Sequence, residues 1–514
     1  MIFGHVKKGM YFDSVTLMNV ARRILAVEGI HDAAVVMGTK ENKEILASAG
    51  LLSDGFAETD GTDLLIALDC DDQESADGAL AALEEQLADV RKQTEISDDF
   101  RPGSIEGSLD IFPEANLAVI SVPGQHAAAE AEKALAKDLH VMLFSDNVSL
   151  EDEVRLKKMA REKQLLLMGP DCGTAIINGV PLGFANAVNR GNIGIVAAAG
   201  TGLQEVSSII SNNGGGISQA IGTGGRDVKA AVGGIMFTEA IKALAEDDAT
   251  AVVVLVSKPP DAAVLASLAD VIVGVGKPVV AAFLGAQYLE NPAELPGVHT
   301  ANTLEEAALF AVAIAKQRPL ETVSEQLRKN EETIKALAAK AAGSLSEKQR
   351  FIRGLFSGGT LCSEAQIILG ESISPLYSNA PAGNAKSLAG KEGDGHIFID
   401  LGEDEFTVGR PHPMIDFSLR NQHILDAAND PATAVILLDV VLGYGSHPDP
   451  AGELGDVIKV ASRTAIVIAS ITGTEKDPQK REHTRKTLEA AGAIVMETNA
   501  AACSVAGGVS NFSL

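Results

Sequence analysis

Five apolar runs of this chain close in small residues and are followed by helix-prone stretches: VPGQHA (122–127), MGPDCGT (168–174), VAAAGTGLQE (196–205), FSGGTLCSE (356–364) and LGYGSHPDPA (442–451). A buried strand that turns tightly into a helix and is followed by another such strand has one common solution, a parallel sheet with helical crossovers. The chain therefore reads as α/β, with several Rossmann-like or flavodoxin-like parallel-sheet domains and a small N-terminal α/β domain. That first unit spans 1–97, with a helix expected from Ser14 to about Val27. Parallel-sheet units follow at 98–190, 191–317 and 351–514, and the polar stretch 318–350 reads as a solvated helical linker. The units 191–317 and 351–514 share a style of winding without a strict sequence period.

At about 150 residues per domain, 514 residues suit three or four domains. The formal charge, 42 − 69 = −27, argues against a nucleic-acid partner. It leaves room for small phosphorylated ligands, which a few local N–H groups can hold. No apolar run reaches the roughly 20 residues of a membrane span, and the start MIFGHVKKGMYFD is no signal peptide. Cys70, Cys172, Cys362 and Cys503 lie far apart without a CxxC pair, which suits a reducing, cytoplasmic compartment and no tightly bound metal.

A helix that starts at a strand's C-terminal end offers unpaired N–H groups and a partial positive charge. Gly200-Thr201-Gly202, Gly358-Gly359-Thr360 and Gly443 with Gly445 are therefore candidate phosphate-binding turns, although each also reads as a tight connection. No GxxxxGK[ST] string is present, so this is not a P-loop ATPase. His447 follows the last of these turns, where it could hold or carry a phosphate. Arg410 and His412 flank Pro411 in a polar turn. Cys172 and Cys362 read as nucleophiles or as buried small residues, and Asp171 and Asp400 as ligand-orienting groups or turn caps.

MGPDCGTAI (168–176), GNIGIVAAAGTGLQEV (191–206) and IGTGGRDV (221–228) resemble the alpha chain of the succinyl-CoA synthetase superfamily. FIDLGEDEF (398–406) and LLDVVLGYGSHPDPA (437–451) resemble the CoA-ligase domain that ends its beta chain. With RFIRGLFSGGTLCSEA and the small N-terminal domain, the whole is similar to the FdrA proteins, described as acyl-CoA synthetase-like. The resemblance implies a CoA-binding domain at 98–190, an alpha-like ligase domain at 191–317 and a beta-type CoA-ligase domain at 351–514. Pro123, Gly124, Asp171, Cys172 and Asp400 become its CoA- or substrate-side candidates, and CoA a candidate ligand.

Two departures shape the function implied. The superfamily's GHAGA-type phosphohistidine loop has no match after KPVVAAFLG, where His299 stands in a different context, and no ATP-grasp segment fits between 317 and 351. The resemblance then implies a subunit of oxamate carbamoyltransferase, converting oxalurate and phosphate to oxamate and carbamoyl phosphate, with phosphate as substrate, accessory protein subunits and an oligomeric assembly. A CoA ligase working with a separate ATP-grasp partner and a non-catalytic regulatory subunit are the alternatives.

Overall fold

The computed structural model describes residues 1–512 apart from 11–16, 18–19, 22, 26, 28, 60–62, 96–101, 287–296, 389–394 and 408–410. Two compact units emerge. The smaller comprises Met1–Ser104 with Asp404–Pro411, and the larger comprises Ile105–Glu403 with His412–Leu514.

In the smaller unit, strands β1 (Ile2–Lys7), β2 (Ile30–Met37) and β3 (Leu64–Cys70) form an antiparallel sheet of order β1-β3-β2. Helices α1 (Lys40–Ser48) and α2 (Gln73–Glu95) accompany it. β3 carries the continuous apolar run LLIAL, as a central strand covered on both faces should. The helix expected over 14–27 lies partly outside the described residues.

The larger unit opens with a small parallel sheet, β4 (Leu117–Ile120), β5 (His140–Leu143) and β6 (Leu167–Met168), flanked by α3 (Gly124–Ala136) and α4 (Leu150–Glu162). These strands are shorter than their apolar runs. The hairpin β7 (Thr174–Ile177) and β8 (Val180–Gly183) does not join this sheet, although it falls inside the expected 98–190 domain. It pairs antiparallel with the next sheet, whose edge strand it covers, so that sheet starts before the expected boundary at 191.

That sheet continues with β9 (Arg190–Ala197), α5 (Gly200–Asn212), β10 (Ile217–Gly222), α6 (Ile235–Glu246), β11 (Val252–Ser257), α7 (Ala262–Val273), β12 (Val279–Phe283), β13 (Val298–Thr300) and α8 (Leu304–Ala315). Its order is β13-β12-β11-β9-β10-β7-β8. After helix α9 (Glu321–Ala342) come β14 (Phe351–Phe356), α10 (Gly359–Leu369), β15 (Leu376–Ser378), β16 (Lys386–Ser387), β17 (His396–Asp400), α11 (Ser418–Asn429) and β18 (Thr433–Val441). The chain ends with α12 (Pro450–Ala461), β19 (Ile466–Thr472), α13 (Arg481–Ala491), β20 (Ile494–Met496) and α14 (Asn499–Phe512). The order of this second sheet is β16-β15-β17-β14-β18-β19-β20, so β14, β17, β18, β19 and β20 repeat the winding of β9, β10, β11, β12 and β13.

One apolar core joins the inner faces of both seven-stranded sheets. It contains Ile195 and Val254 from the first, Ile352 and Leu437 from the second, and Leu203, Leu304, Leu361 and Val505 from the helices between them. Helices α6 and α7 cover the outer face of the first sheet, and α11, α12 and α13 that of the second. α9 is not a solvated linker. Val323 and Ala338 enter the shared core, and Ala338 packs so close to α14 that a Cβ on Gly508 would lie 2.7 Å from it. No described helix is long and apolar enough to cross a membrane.

Candidate functional site

The two sheets bring two helix starts together. β9 runs through Ala198-Ala199 into α5, and β14 through Ser357-Gly358 into α10. Neither N-cap residue, Ala199 or Gly358, caps its helix with a side chain. Thr360 N–H donates to Thr201 Oγ1 at 3.3 Å. A Cβ on Gly202 would lie 2.9 Å from the Thr360 methyl, and one on Gly358 3.0 Å from the Thr201 methyl. Each threonine therefore fills the hollow left by the other helix's glycine. No acceptor meets the N–H groups of Gly200, Thr201, Gly202, Gly359 and Leu361 among the described residues. Two bare helix starts in contact make a site for an oxyanion.

Charged side chains complete it. Asp439 on β18 is fully buried and accepts the N–H groups of Ser357 (2.8 Å) and Gly358 (2.7 Å), which fixes the turn before α10. The buried Arg420 neutralises it at 2.8 Å. Asp400 ends β17, 2% exposed. Asn379 clamps its backbone from both sides, its Oδ1 accepting the Asp400 N–H at 2.9 Å and its Nδ2 donating to the Asp400 carbonyl at 3.0 Å. Asp400 Oδ1 accepts the Gly402 N–H at 3.0 Å, whereas Oδ2 points at the start of α10, 2.5 Å from where a Cβ on Gly359 would sit. Burial, and then the nearby Glu403, push its carboxyl up to about 7.

Lys258 follows β11 directly. It is half-buried and makes no ion pair or hydrogen bond among the described residues, yet its charge acts on both Asp400 and Cys362. His412 lies nearby: its Nε2 and Asp400 Oδ1 both approach the point where a Cβ on Gly402 would sit, at 3.0 and 3.2 Å. Burial lowers its pKa to about 4, and its Nδ1 accepts the Met414 N–H at 3.2 Å, which assigns the proton of the neutral ring to Nε2.

Of the sequence candidates, Gly200, Thr201, Gly202, Gly358, Gly359, Thr360 and Asp400 meet here. Gly443 and Gly445 do not. The Gly443 N–H donates to Gln479 and the Tyr444 N–H to the Ala185 carbonyl, and a Cβ on Gly445 would strike the Phe184 ring at 2.6 Å. That turn is a packed connection, and α12 starts further on, capped by Asp449. His447 is spent on the same capping structure, its Nδ1 accepting the Asp449 N–H at 3.1 Å with Glu453 at 3.7 Å. Pro123 and Gly124 start α3 on the small sheet, where a Cβ on Gly124 would meet Asp146 O at 2.3 Å.

Asp171 is exposed, in a left-handed turn at φ 55°. Cys172 is a core residue whose thiol burial pushes up to about 12, and Cys362 is likewise buried with a raised pKa, so neither is a ready nucleophile. Arg410 and residues 287–296 of the segment after KPVVAAFLG lie outside the described residues, and His299 is exposed on the edge strand β13. Sequence reasoning missed Lys258, whose one signal is a charge set directly after the all-apolar strand VVVLV-Ser257.

The comparisons with known proteins fall on these same elements. A family described as CoA-ligase matches residues 355–509, which contain the start of α10, Asp400 and Asp439. A CoA binding domain family matches 188–285, which contain the start of α5 and Lys258, and not the expected 98–190 segment. Residues 1–101 match the heavy metal-associated domain of AllF. Over 96% of its length and 96% of the relative's, the chain is 42% identical to Uncharacterized protein YahF of Escherichia coli (strain K12).

The chain belongs to the FdrA-type acyl-CoA synthetase-like proteins of the succinyl-CoA synthetase superfamily. Within that superfamily it is 28% identical to the alpha subunit of ADP-forming succinate–CoA ligase of Staphylococcus aureus (strain N315), over 34% of this chain and 57% of that one. Among solved structures it is similar to the dinucleotide-forming acetyl-coenzyme A synthetase 1 of Ca. Korarchaeum cryptofilum, 15% identical over 77% of this chain and 83% of that one. The TM-score of 0.33 is too low for that likeness to carry an argument.

The metal named for the N-terminal family finds a poor donor set. Cys70 is the one cysteine of residues 1–101, and it is buried with its Sγ against the Met1 carbonyl at 3.5 Å. Among the described residues no group of three His, Cys, Asp or Glu is placed to hold a metal ion. For CoA, the free N–H groups of Gly200–Gly202 are the part of the matched segment suited to one of its phosphates.

Proposed function

We propose that this chain is the phosphate-binding subunit of a carbamoyltransferase, which turns oxalurate and phosphate into oxamate and carbamoyl phosphate in allantoin use and works with accessory protein subunits. The observation that carries this reading is the contact between two uncapped helix starts, with Lys258, which makes no ion pair among the described residues, acting by its charge on Asp400 and Cys362 there. The AllF-type N-terminal domain supports the allantoin link. The free N–H groups orient phosphate and take up the charge that develops as one of its oxygens attacks the ureido carbonyl, a stabilisation that needs no protein nucleophile.

The test is to give the purified complex oxalurate with phosphate or arsenate, without ATP or CoA. Oxamate is expected with either anion, and with arsenate the reaction should become irreversible because the carbamoyl arsenate hydrolyses. Oxamate formed only with ATP and CoA would instead support the second reading, a CoA ligase with a separate ATP-grasp partner. The CoA-ligase and CoA binding domain matches favour that reading.

A further inference from the structure

Asp400 is the odd group of this site. A carboxylate beside the place of an oxyanion repels it, yet Asp400 is held there by a purpose-built clamp, both of its backbone polar groups bonded to Asn379. Its Oδ1 has the Gly402 N–H, while Oδ2 has no hydrogen-bond partner among the described residues and points at the bare start of α10. An oxygen of a buried carboxyl that has no donor among the described residues, aimed at a helix start with free N–H groups, is suited to carry a proton and donate it to a bound anion. The charges that act on it are Lys258 after β11, Glu403 on its own loop and Asp439 on β18; Cys362 on α10 feels its charge in turn, and the neutral His412 lies nearby. Lys258 is the one cation among them, and it makes no ion pair or hydrogen bond among the described residues.

We propose that Lys258 and Asp400 make the paired helix starts a proton-coupled oxyanion site, in which Lys258 holds the anion and Asp400 takes up a proton as the anion binds. Its ordinary ligand is a tetrahedral dianion, monohydrogen phosphate. In the transfer step, which rests on the carbamoyl reading, a phosphate oxygen forms a bond to the ureido carbonyl carbon. The bond from that carbon to the oxamate nitrogen breaks, the nitrogen takes the proton from Asp400, and Asp400 regains one from the attacking phosphate. The carboxyl's shift to about 7 fits this role.

Sulfate tests the coupling because it stays doubly charged across the neutral range, so any proton taken up belongs to the protein. Calorimetry of sulfate binding to the full chain, in buffers of different ionisation heat, counts that proton. About one proton per sulfate is expected above about pH 7, with affinity falling about tenfold per pH unit there. Asp400→Asn should remove the proton uptake and bind sulfate more tightly than wild type at high pH. Lys258→Met should weaken binding at least about tenfold at every pH and keep the uptake.

Absent sulfate binding, binding without proton uptake by the wild type, or uptake that survives in Asp400→Asn would each overturn the proposal. The wild-type measurement decides even if a variant misfolds. Uptake without any oxamate formation by the complex would sink the carbamoyl reading alone, and oxamate formation without uptake would sink this proposal alone.

Discussion

Three glutamates carry the seam between the two seven-stranded sheets. Glu205 on α5 accepts the Asn499 N–H at the start of α14 (3.0 Å) and the Thr472 hydroxyl (2.5 Å). Glu364 on α10 accepts the Leu304 N–H at the start of α8 (2.7 Å) and Asn499 Nδ2 (2.8 Å). Glu305 accepts the Thr498 hydroxyl. Burial raises the pKa of all three, that of Glu364 to about 7. Folded Glu364 thus keeps its proton well above the 4.5 of an unperturbed glutamate, and the unfolded state gains on the folded one as pH rises between those values. For one fully buried group the loss is on the order of 3 kcal/mol. Glu364→Gln should make urea midpoints fall less steeply across this window, at a cost of about 1 kcal/mol at low pH for one displaced hydrogen bond. An unchanged pH slope would assign the loss to other groups. None of this was legible in the sequence, because these partners stand 60 to 294 positions apart and a glutamate inside an apolar helix reads as its polar face. The places of Asp400 and of the turns at 200–202 and 358–360 were legible because strand-end position alone marks them.

At the level of elements, the two glycine turns that looked alike in sequence predict opposite variants. Gly202→Val would drive side-chain atoms into Thr360 and Val256, at 2.9 and 3.0 Å already from the first carbon, and separate the helix starts. It should abolish sulfate binding and cost about 1–3 kcal/mol. Gly445→Val meets the Phe184 ring first, so it should destabilise by a similar amount while sulfate binding persists in the folded fraction. Denaturation midpoints and sulfate calorimetry on both variants separate the cases, and loss of binding in Gly445→Val would return that turn to the site. The strand–helix rhythm predicted both turns equally, since periodicity reports where a strand ends and not what packs on it. α9 was misread for a related reason: its charged residues hide the stripe Val323, Leu327, Ile334, Leu337 and Ala338, which only α14 and the shared core reveal.

At the scale of the whole larger unit, the repeated winding explains why the site sits where it does. Two sheets wound alike and packed through one core bring their first helices together start to start, and each of those helices then reaches the last helix of the opposite half. Glu205 holds the start of α14 in the second half, and Glu364 the start of α8 in the first. Neither half buries its inner face alone, since Ile195 and Ile352 belong to the same cluster. Residues 105–403 with 412–512 should therefore open as one cooperative body and not as two stacked domains. Glu205→Ala leaves the Asn499 N–H and the Thr472 hydroxyl buried without an acceptor, which costs about 1–3 kcal/mol for each group. If the halves open together, amides of β9 and β14 should exchange with the same opening free energy in the wild type and lose protection by the same amount in the variant. Hydrogen exchange followed by mass spectrometry reads both strands in one experiment. Protection lost in only one strand would mean that the halves are separate domains, with the paired helix starts free to part and the oxyanion site assembled only when they close.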